Sequence, residues 1–152
     1  MSIDRLQQMP GHLIRRAQQV STAIFAEELA EMELTSVQVV ALAAIAARPG
    51  LDATRLAESI DFDKATIGGV IERLERKGLV ARVTSKSDRR VKQLTATSAG
   101  KALLGASMPA VERVQDRMLA PLSTDERGVL LGLLRRVIDA HDVDIDSTLT
   151  KS

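Results

Sequence analysis

The sequence predicts a mainly α-helical protein with a small β wing: a winged helix-turn-helix core with N- and C-terminal dimerisation helices. Two segments, 53–60 and 67–74, place apolar residues at i, i+3, i+4 and i+7, the spacing of a helix with one buried face. Residues 61–63 join them as a turn, and two alternating β-like runs, 79–84 and 91–97, follow. This order of elements is typical of a protein that reads DNA.

The second helix of this core has clear signals at both ends. Asp63 is a suitable N-cap, because its carboxylate can accept from the free N–H groups of the first turn. Gly78 stands where a C′ glycine would end the helix. In the link between the two strands, Asp88 is expected to pair with a neighbouring arginine or to cap the turn.

Two helices are predicted before the core. Residues 10–32 form a long helix, and the capping box Thr35–Gln38 opens another over 36–47. Because that second helix is apolar nearly all round, we expect it to be the buried centre of the domain.

Two more helices are predicted after the wing. The first runs from Ser98 toward Leu119, and Pro109 inside it should produce a kink. The capping box 123–126 opens the last helix.

This pattern divides the chain into four parts. They are an N-terminal helix that serves dimerisation and forms a cleft wall (1–34), the winged helix-turn-helix DNA-binding domain (35–100), C-terminal dimerisation helices (101–142) and an acidic tail (143–152). The apolar stripes of the end helices exceed what a small winged core can cover, so a twofold dimer is expected to bury them. The alternative is an intramolecular three-helix cap on a monomer.

Composition excludes several classes of function. With no cysteine, the chain has no disulfide, thiol catalysis or cysteine redox sensing. With only His12 and His141 as imidazole ligands, a metal site is not expected, and neither is a cofactor. The N-terminus lacks a signal-peptide core and no run is apolar enough to span a membrane, so a cytoplasmic protein is expected. No nucleophile or phosphate-loop motif is present, which predicts that the protein is not an enzyme.

Charge is concentrated in the predicted DNA reader. The net charge is only +1, yet residues 53–92 hold ten basic and six acidic residues. Within residues 75–92 the count is seven basic against two acidic. Such an excess suits contact with phosphates, although ordinary scatter could also produce it.

Several stretches resemble the MarR family of bacterial transcriptional regulators. They are LTSVQVVALAAI, LDATRLAESIDFDKATIGGVIERLERKGLVAR and SDRRVKQLTATSAG, and the resemblance covers residues 10–142. It implies a ligand-responsive repressor that binds a pseudo-palindromic operator as a homodimer and is released by a small aromatic acid or phenol. The alternative is a winged-helix module that binds protein, but such a surface would show exposed large apolar anchors.

The candidate DNA-binding residues follow from the face of the second core helix that lies opposite its apolar stripe, and from the wing tip. They are Lys64, Ala65, Thr66, Gly68, Gly69, Arg73, Arg76, Lys86, Arg89 and Arg90. Thr66 can donate to a base or touch a thymine methyl, and Lys64 can reach a phosphate. The resemblance implies that Arg89 or Arg90 enters the minor groove, where narrow A·T-rich DNA concentrates negative potential. Glu72 is expected to pair with Arg76 four residues on.

The adjacent glycines Gly68 and Gly69 need a reason, because two glycines in a helix cost about 2 kcal/mol relative to alanines. Close approach of the helix backbone to DNA is one explanation, and packing against the neighbouring helix is the other.

A polar stripe on the first long helix is the candidate effector site. His12, Arg16 and Gln19 follow one another at steps of four and three. In the family, a cleft between the dimer helices and the reader binds small aromatic acids or phenols, and a cationic stripe would suit such an anion. Alternatively, these residues pair with Glu27, Glu112 or Asp116, or face water.

Overall fold

The computed structural model describes residues 2–149, with side chains up to Asp142. The predicted acidic tail, 143–152, lies outside the residues whose side chains are described. The elements are α1 (Ile3–Gln7), α2 (Pro10–Glu28), a 3-10 turn (Ala30–Met32), α3 (Ser36–Ala47), α4 (Ala53–Ser59), α5 (Lys64–Arg76), β1 (Val80–Thr84), β2 (Lys92–Ala96), α6 (Ser98–Leu119) and α7 (Thr124–Leu149). The fold class predicted from the sequence is confirmed, and the chain divides into two compact units, one up to Gln115 and one from Asp116.

The core of the first unit surrounds α3, as predicted. Ala41, Leu42 and Ile45 are fully buried. The predicted capping box is present: the Thr35 hydroxyl accepts from the Gln38 N–H at 3.3 Å, and Gln38 Oε1 accepts from the Thr35 N–H at 3.2 Å. The preceding helix is shorter than predicted, because α2 ends at Glu28 and the 3-10 turn leads to the left-handed residue Glu33 (φ 52°).

The two helices of the helix-turn-helix form where the sequence predicts them. Asp63 caps α5, as expected, and Asp52 caps α4, which the sequence reading missed. The turn between them closes through Asp61 (φ 57°) and a hydrogen bond from the Phe62 N–H to the Ala57 carbonyl at 3.0 Å. Gly78 has φ 72°, so the predicted left-handed stop after α5 is confirmed.

The wing is a two-stranded antiparallel hairpin whose register pairs Val80 with Ala96 and Thr84 with Lys92. Two residues of the motif LTATSAG (residues 94–100) hold the hairpin against the helix that follows it. The Thr97 hydroxyl donates to the Gly78 carbonyl at 2.6 Å and accepts from the Gly100 N–H at 3.0 Å. At Gly100 an added Cβ would lie 2.1 Å from the Leu79 carbonyl oxygen, so only glycine fits where α6 crosses the start of β1.

The second unit contains the end of α6 and α7. Pro109 lies inside α6, in the part of that helix that belongs to the first unit, and the kink expected there stays a prediction. The predicted capping box at the start of α7 is confirmed: the Ser123 N–H donates to Glu126 at 2.9 Å, and the Glu126 N–H donates to the Ser123 hydroxyl at 3.2 Å. These hydrogen bonds lower the pKa of the Glu126 carboxyl.

Candidate nucleic-acid interface

The outer face of α5 is exposed and, apart from Glu72, made of small or basic residues. Its inner face is the buried stripe of Ile67, Val70, Ile71 and Leu74, as the spacing predicts. Seven of the candidate residues lie on the rest of the helix: Lys64, Ala65, Thr66, Gly69, Arg73 and Arg76 are exposed, and Gly68 is half-buried. The N-terminal half of the outer face therefore presents backbone and short side chains to solvent.

Thr66 is held by the N-cap. Its N–H donates to Asp63 Oδ1 at 2.8 Å and its hydroxyl donates to Asp63 Oδ2 at 2.6 Å. These bonds lower the pKa of the Asp63 carboxyl, with the side-chain bond from Thr66 as the largest cause. The hydroxyl proton of Thr66 is thus already used, which leaves its methyl group and oxygen lone pairs for contact with a base edge.

The two glycines of α5 have open space beside them. An added Cβ at Gly68 or Gly69 would meet no described atom within 4 Å. Packing against a neighbouring helix within this chain therefore does not explain them, and close approach of an external surface remains as the explanation.

The C-terminal half of α5 carries charges. Glu75, the last residue but one of α5, pairs with Arg82 of β1 and so joins α5 to the wing. The expected pair of Glu72 with Arg76 is wrong for the described structure, in which neither side chain has an ion-pair partner. Both residues are exposed, and water satisfies such a pair at little cost.

At the wing tip, the expected pairing of Asp88 is confirmed. Its carboxylate accepts from the Arg90 N–H at 3.0 Å and from Arg90 Nε at 3.2 Å. This contact lowers the pKa of the Asp88 carboxyl. Arg89 and Lys86 are exposed and have no side-chain partner among the described residues, so Arg89 is the arginine of the two that is free to reach into a groove.

A basic cleft of about 250 Å³ lies between α4, the first residue of α5 and the wing. Four cationic side chains line it, against the single carboxylate of Asp52: Lys64, Arg82, Arg90 and Lys92. The sequence reading identified Lys64 and Arg90 but missed Arg82, Lys92 and the nearby hydroxyl of Thr54. The strand alternation carries the missing signal, because the register places Arg82 opposite Leu94 and Lys92 opposite Thr84, all on one face of the hairpin.

The polar stripe of α2 lies on the surface. Arg16 donates to the side chain of Gln19, and His12 is half-buried one turn earlier. Arg16 forms no ion pair with a described residue; in the same unit Glu28 instead accepts from Arg113 at 2.8 Å. The three residues of the predicted effector site, His12, Arg16 and Gln19, thus lie together on one face of α2.

A cavity of about 130 Å³ continues along α2, beyond this stripe. It is lined by Thr22, Phe25 and Ala26 of α2 and by Leu34, Thr35 and Ser36 at the start of α3. The sequence reading named none of these six residues, because a cavity between two helices depends on packing. Gln19 lies three residues before Thr22, about 4.5 Å along the helix axis.

Other kinds of site find no support in the described residues. They contain no group of three side chains that could hold a metal ion. Within the same part of the chain, every helix is too short or too polar to cross a membrane.

Comparison with known proteins agrees with this geometry. The sequence model of the MarR family matches residues 34–92, which span α3 to the start of β2. The chain is 36% identical over 132 residues to the HTH-type transcriptional repressor NicR of Pseudomonas putida, covering 87% of this chain and 84% of NicR.

Two solved structures share the fold. BpsR of Bordetella bronchiseptica, studied for the regulation of its DNA binding by 6-hydroxynicotinic acid, is 33% identical, with a TM-score of 0.82 over 88% of this chain and 95% of that one. The transcriptional repressor CouR, bound to a 23-mer DNA duplex, is 29% identical, with a TM-score of 0.82 over 91% of this chain and 98% of that one.

Proposed function

The chain belongs to the MarR family of transcriptional regulators, and from this premise we propose that it is a repressor that binds a pseudo-palindromic operator as a homodimer and is released by a small aromatic acid. Acting on DNA, it works in the cytoplasm and catalyses no reaction. The observation that carries the proposal is the outer face of α5: an exposed, small-residue surface with open space at Gly68 and Gly69, next to a cleft lined by four cations.

The roles of the DNA-facing residues follow from their positions. The start of α5, with Lys64, Ala65 and Thr66, enters the major groove, and Gly68 and Gly69 let its backbone come close. Arg89 enters the minor groove. Arg73, Arg76, Lys86 and Arg90 contact phosphates and add affinity without sequence information.

The first experiment measures binding to duplex DNA by fluorescence anisotropy across a salt series. We expect a steep loss of affinity with salt, because each phosphate contact contributes about 0.9 to the slope of log K against log salt. Lys92→Met should remove one phosphate contact, so the magnitude of that slope should fall by about 0.9. The matched control Lys101→Met, an exposed lysine of α6, should not change it. Absence of binding to any duplex at low salt would exclude the DNA-binding function and favour the protein-binding module.

The dimer proposal is supported by apolar surface in both units. In the first, Ile3 is 65% exposed, Leu13 51% and Ile14 52%. In the second, Val129 is 61% exposed, Leu133 51% and Val137 56%. Large apolar side chains at this density mark surfaces that associate with a partner, and a twofold symmetry mate presents the same surfaces.

The effector proposal combines the cavity with the polar stripe. The cavity walls of Phe25, Ala26 and Leu34 are apolar and suit an aromatic ring. Arg16 and Gln19, joined by a hydrogen bond, lie on the next turns of α2 and can receive the carboxylate, with His12 beyond them. That BpsR is studied with 6-hydroxynicotinic acid supports this chemical class.

Calorimetry with benzoates, salicylates and hydroxylated pyridine carboxylates tests this site. We expect at least one compound to bind the wild-type protein, and Arg16→Ala to weaken that binding by about tenfold or more, since a charge-assisted hydrogen bond contributes about 1.5–3 kcal/mol. The control Arg48→Ala removes an exposed arginine at the end of α3. Equal affinity for wild type and Arg16→Ala would reject the carboxylate contact while leaving the DNA-binding proposal intact.

A further inference from the structure

Lys77 connects the end of α5, the recognition helix of the proposed function, to the segment that lines the cavity between α2 and α3. It is the C-cap residue of α5, and Gly78 turns the chain away directly after it. Its ammonium group donates to the Glu33 carbonyl and also to Gln38 Oε1, at 3.4 Å. These acceptors lie 44 and 39 residues earlier in the sequence, so the contact joins separate parts of the fold.

One acceptor lies just before α3 and the other lies in its first turn. Glu33 is in the left-handed conformation that ends the 3-10 turn, and its carbonyl lies outside the helix ladders. Gln38 is only 3% exposed. Its Oε1 atom also accepts from the Thr35 N–H at 3.2 Å, so one amide oxygen serves the capping box of α3 and Lys77 together.

The residues between these two acceptors face the cavity. Leu34, Thr35 and Ser36 form one of its walls. Residues 33–38, which we call the link segment, therefore contact the cavity through their middle and the recognition helix through their ends. A molecule in the cavity touches this segment directly, without needing to reach the DNA-facing surface.

We propose that Lys77 is a positioning residue that transmits occupancy of the cavity to the recognition helix, an inference that rests on the proposed effector site. An aromatic acid that displaces Leu34–Ser36 moves the Glu33 carbonyl and the Gln38 amide. Lys77 then either follows them, carrying the end of α5, or loses its bonds. In both cases the arrangement of α5 and residues 33–38 with the cavity occupied differs from the arrangement with the cavity empty. The effector then has different affinities for these two arrangements, which is what a coupling between two sites requires.

The test compares the wild-type full-length protein with Lys77→Met, which keeps the aliphatic stem and removes the ammonium group. The probes are 6-hydroxynicotinate and a duplex that the protein selects from a random-sequence library. In the wild type we expect 6-hydroxynicotinate to weaken duplex binding by a factor in the range of about 5 to 150. In Lys77→Met this factor should fall toward one, while the affinity for 6-hydroxynicotinate alone stays within about threefold of wild type.

Two further variants separate coupling from simple stabilisation. Lys77→Arg keeps a cationic donor and should restore the coupling. Lys101→Met removes an exposed lysine ammonium that has no partner among the described residues and should leave the coupling unchanged. An unaltered coupling factor in Lys77→Met would overturn the proposal.

A second measurement needs no effector. By reciprocity, duplex binding should change hydrogen exchange of the link segment in the wild type, and this change should be absent in Lys77→Met. If 6-hydroxynicotinate does not bind, the proposed effector is wrong for this compound, and this exchange experiment alone decides the role of Lys77. Equal exchange changes in wild type and Lys77→Met would then refute it.

Discussion

Replacing the two glycines of α5 by alanine should make the protein more stable and a weaker DNA binder. Both positions are in the middle of a 13-residue helix, and an added Cβ has no described atom within 4 Å. Each glycine costs about 0.8–1.0 kcal/mol relative to alanine in a helix interior, so Gly68→Ala with Gly69→Ala should add about 2 kcal/mol to the free energy of unfolding. For a chain of this size that corresponds to a rise in Tm of about 4–8 °C.

DNA affinity should move in the opposite direction. The two added methyl groups would hold the helix backbone away from the base edges, and loss of even one good base contact costs about 1–3 kcal/mol. We therefore expect operator affinity to fall by about tenfold or more, with the larger share from Gly69, which is exposed whereas Gly68 is half-buried.

The matched control is Gly105→Ala. Gly105 is an exposed glycine inside α6 with equally open space at its Cβ position. It should raise Tm by about 2–4 °C and leave operator affinity unchanged. Differential scanning calorimetry at fixed protein concentration and fluorescence anisotropy supply the two readouts. A double variant that binds its operator as tightly as wild type would refute the close-approach explanation of these glycines.

Three other predictions follow from the same structure. Arg89→Ala with Arg90→Ala should weaken binding to most duplexes and reduce the salt slope, and an unchanged slope would mean that the wing does not contact DNA. Removal of residues 1–20, or of the chain from Ser123 onward, should expose apolar surface and give monomer or aggregate; a well-behaved wild-type monomer at micromolar concentration in sedimentation would contradict this. Because hydrogen bonds lower the pKa of Asp63, its contribution to stability is present above the unfolded pKa and is lost as pH falls through the folded value. Thermal unfolding between pH 3 and 7 should therefore show a smaller acid loss for Asp63→Asn, which keeps the capping oxygen but does not titrate; identical pH profiles would reject this role.

Features fixed by local chemistry could be predicted from the sequence. The capping boxes at Thr35 and Ser123, the Asp63 cap and the Gly78 stop each depend on residues within a few positions of one another, and all are present. The apolar stripe of α5 likewise follows from its periodicity alone. Within the candidate DNA site, the pairing of Asp88 with Arg90 was predictable because the two residues are only two positions apart.

Features that depend on packing could not be read in the same way. The basic cleft needs the register of the hairpin and the position of α4, which place Arg82 and Lys92 beside Lys64. The cavity needs the spacing of α2 and α3, and the contact of Lys77 with Glu33 spans 44 residues. Glu72 is the reverse case, a contact that the sequence predicted and the structure lacks. The i+4 spacing favours a pair with Arg76, but an exposed pair gains too little energy to hold the two side chains together.

The same helix carries Gly68 and Gly69 in its middle and the Lys77 contact at its C-terminal end. Its inner stripe of Ile67, Ile71 and Leu74 is fully buried, so we expect α5 to move as a rigid rod rather than to bend. The helix is about 20 Å long, and a small shift of its C-terminal end must therefore appear as a tilt at its N-terminal end. A reader that relies on close backbone approach is sensitive to such a tilt, because a base contact weakens steeply when its hydrogen bond lengthens or misaligns. If Gly68 and Gly69 lie against DNA as proposed, we expect DNA affinity to respond to a displacement that a reader using long, flexible side chains would absorb.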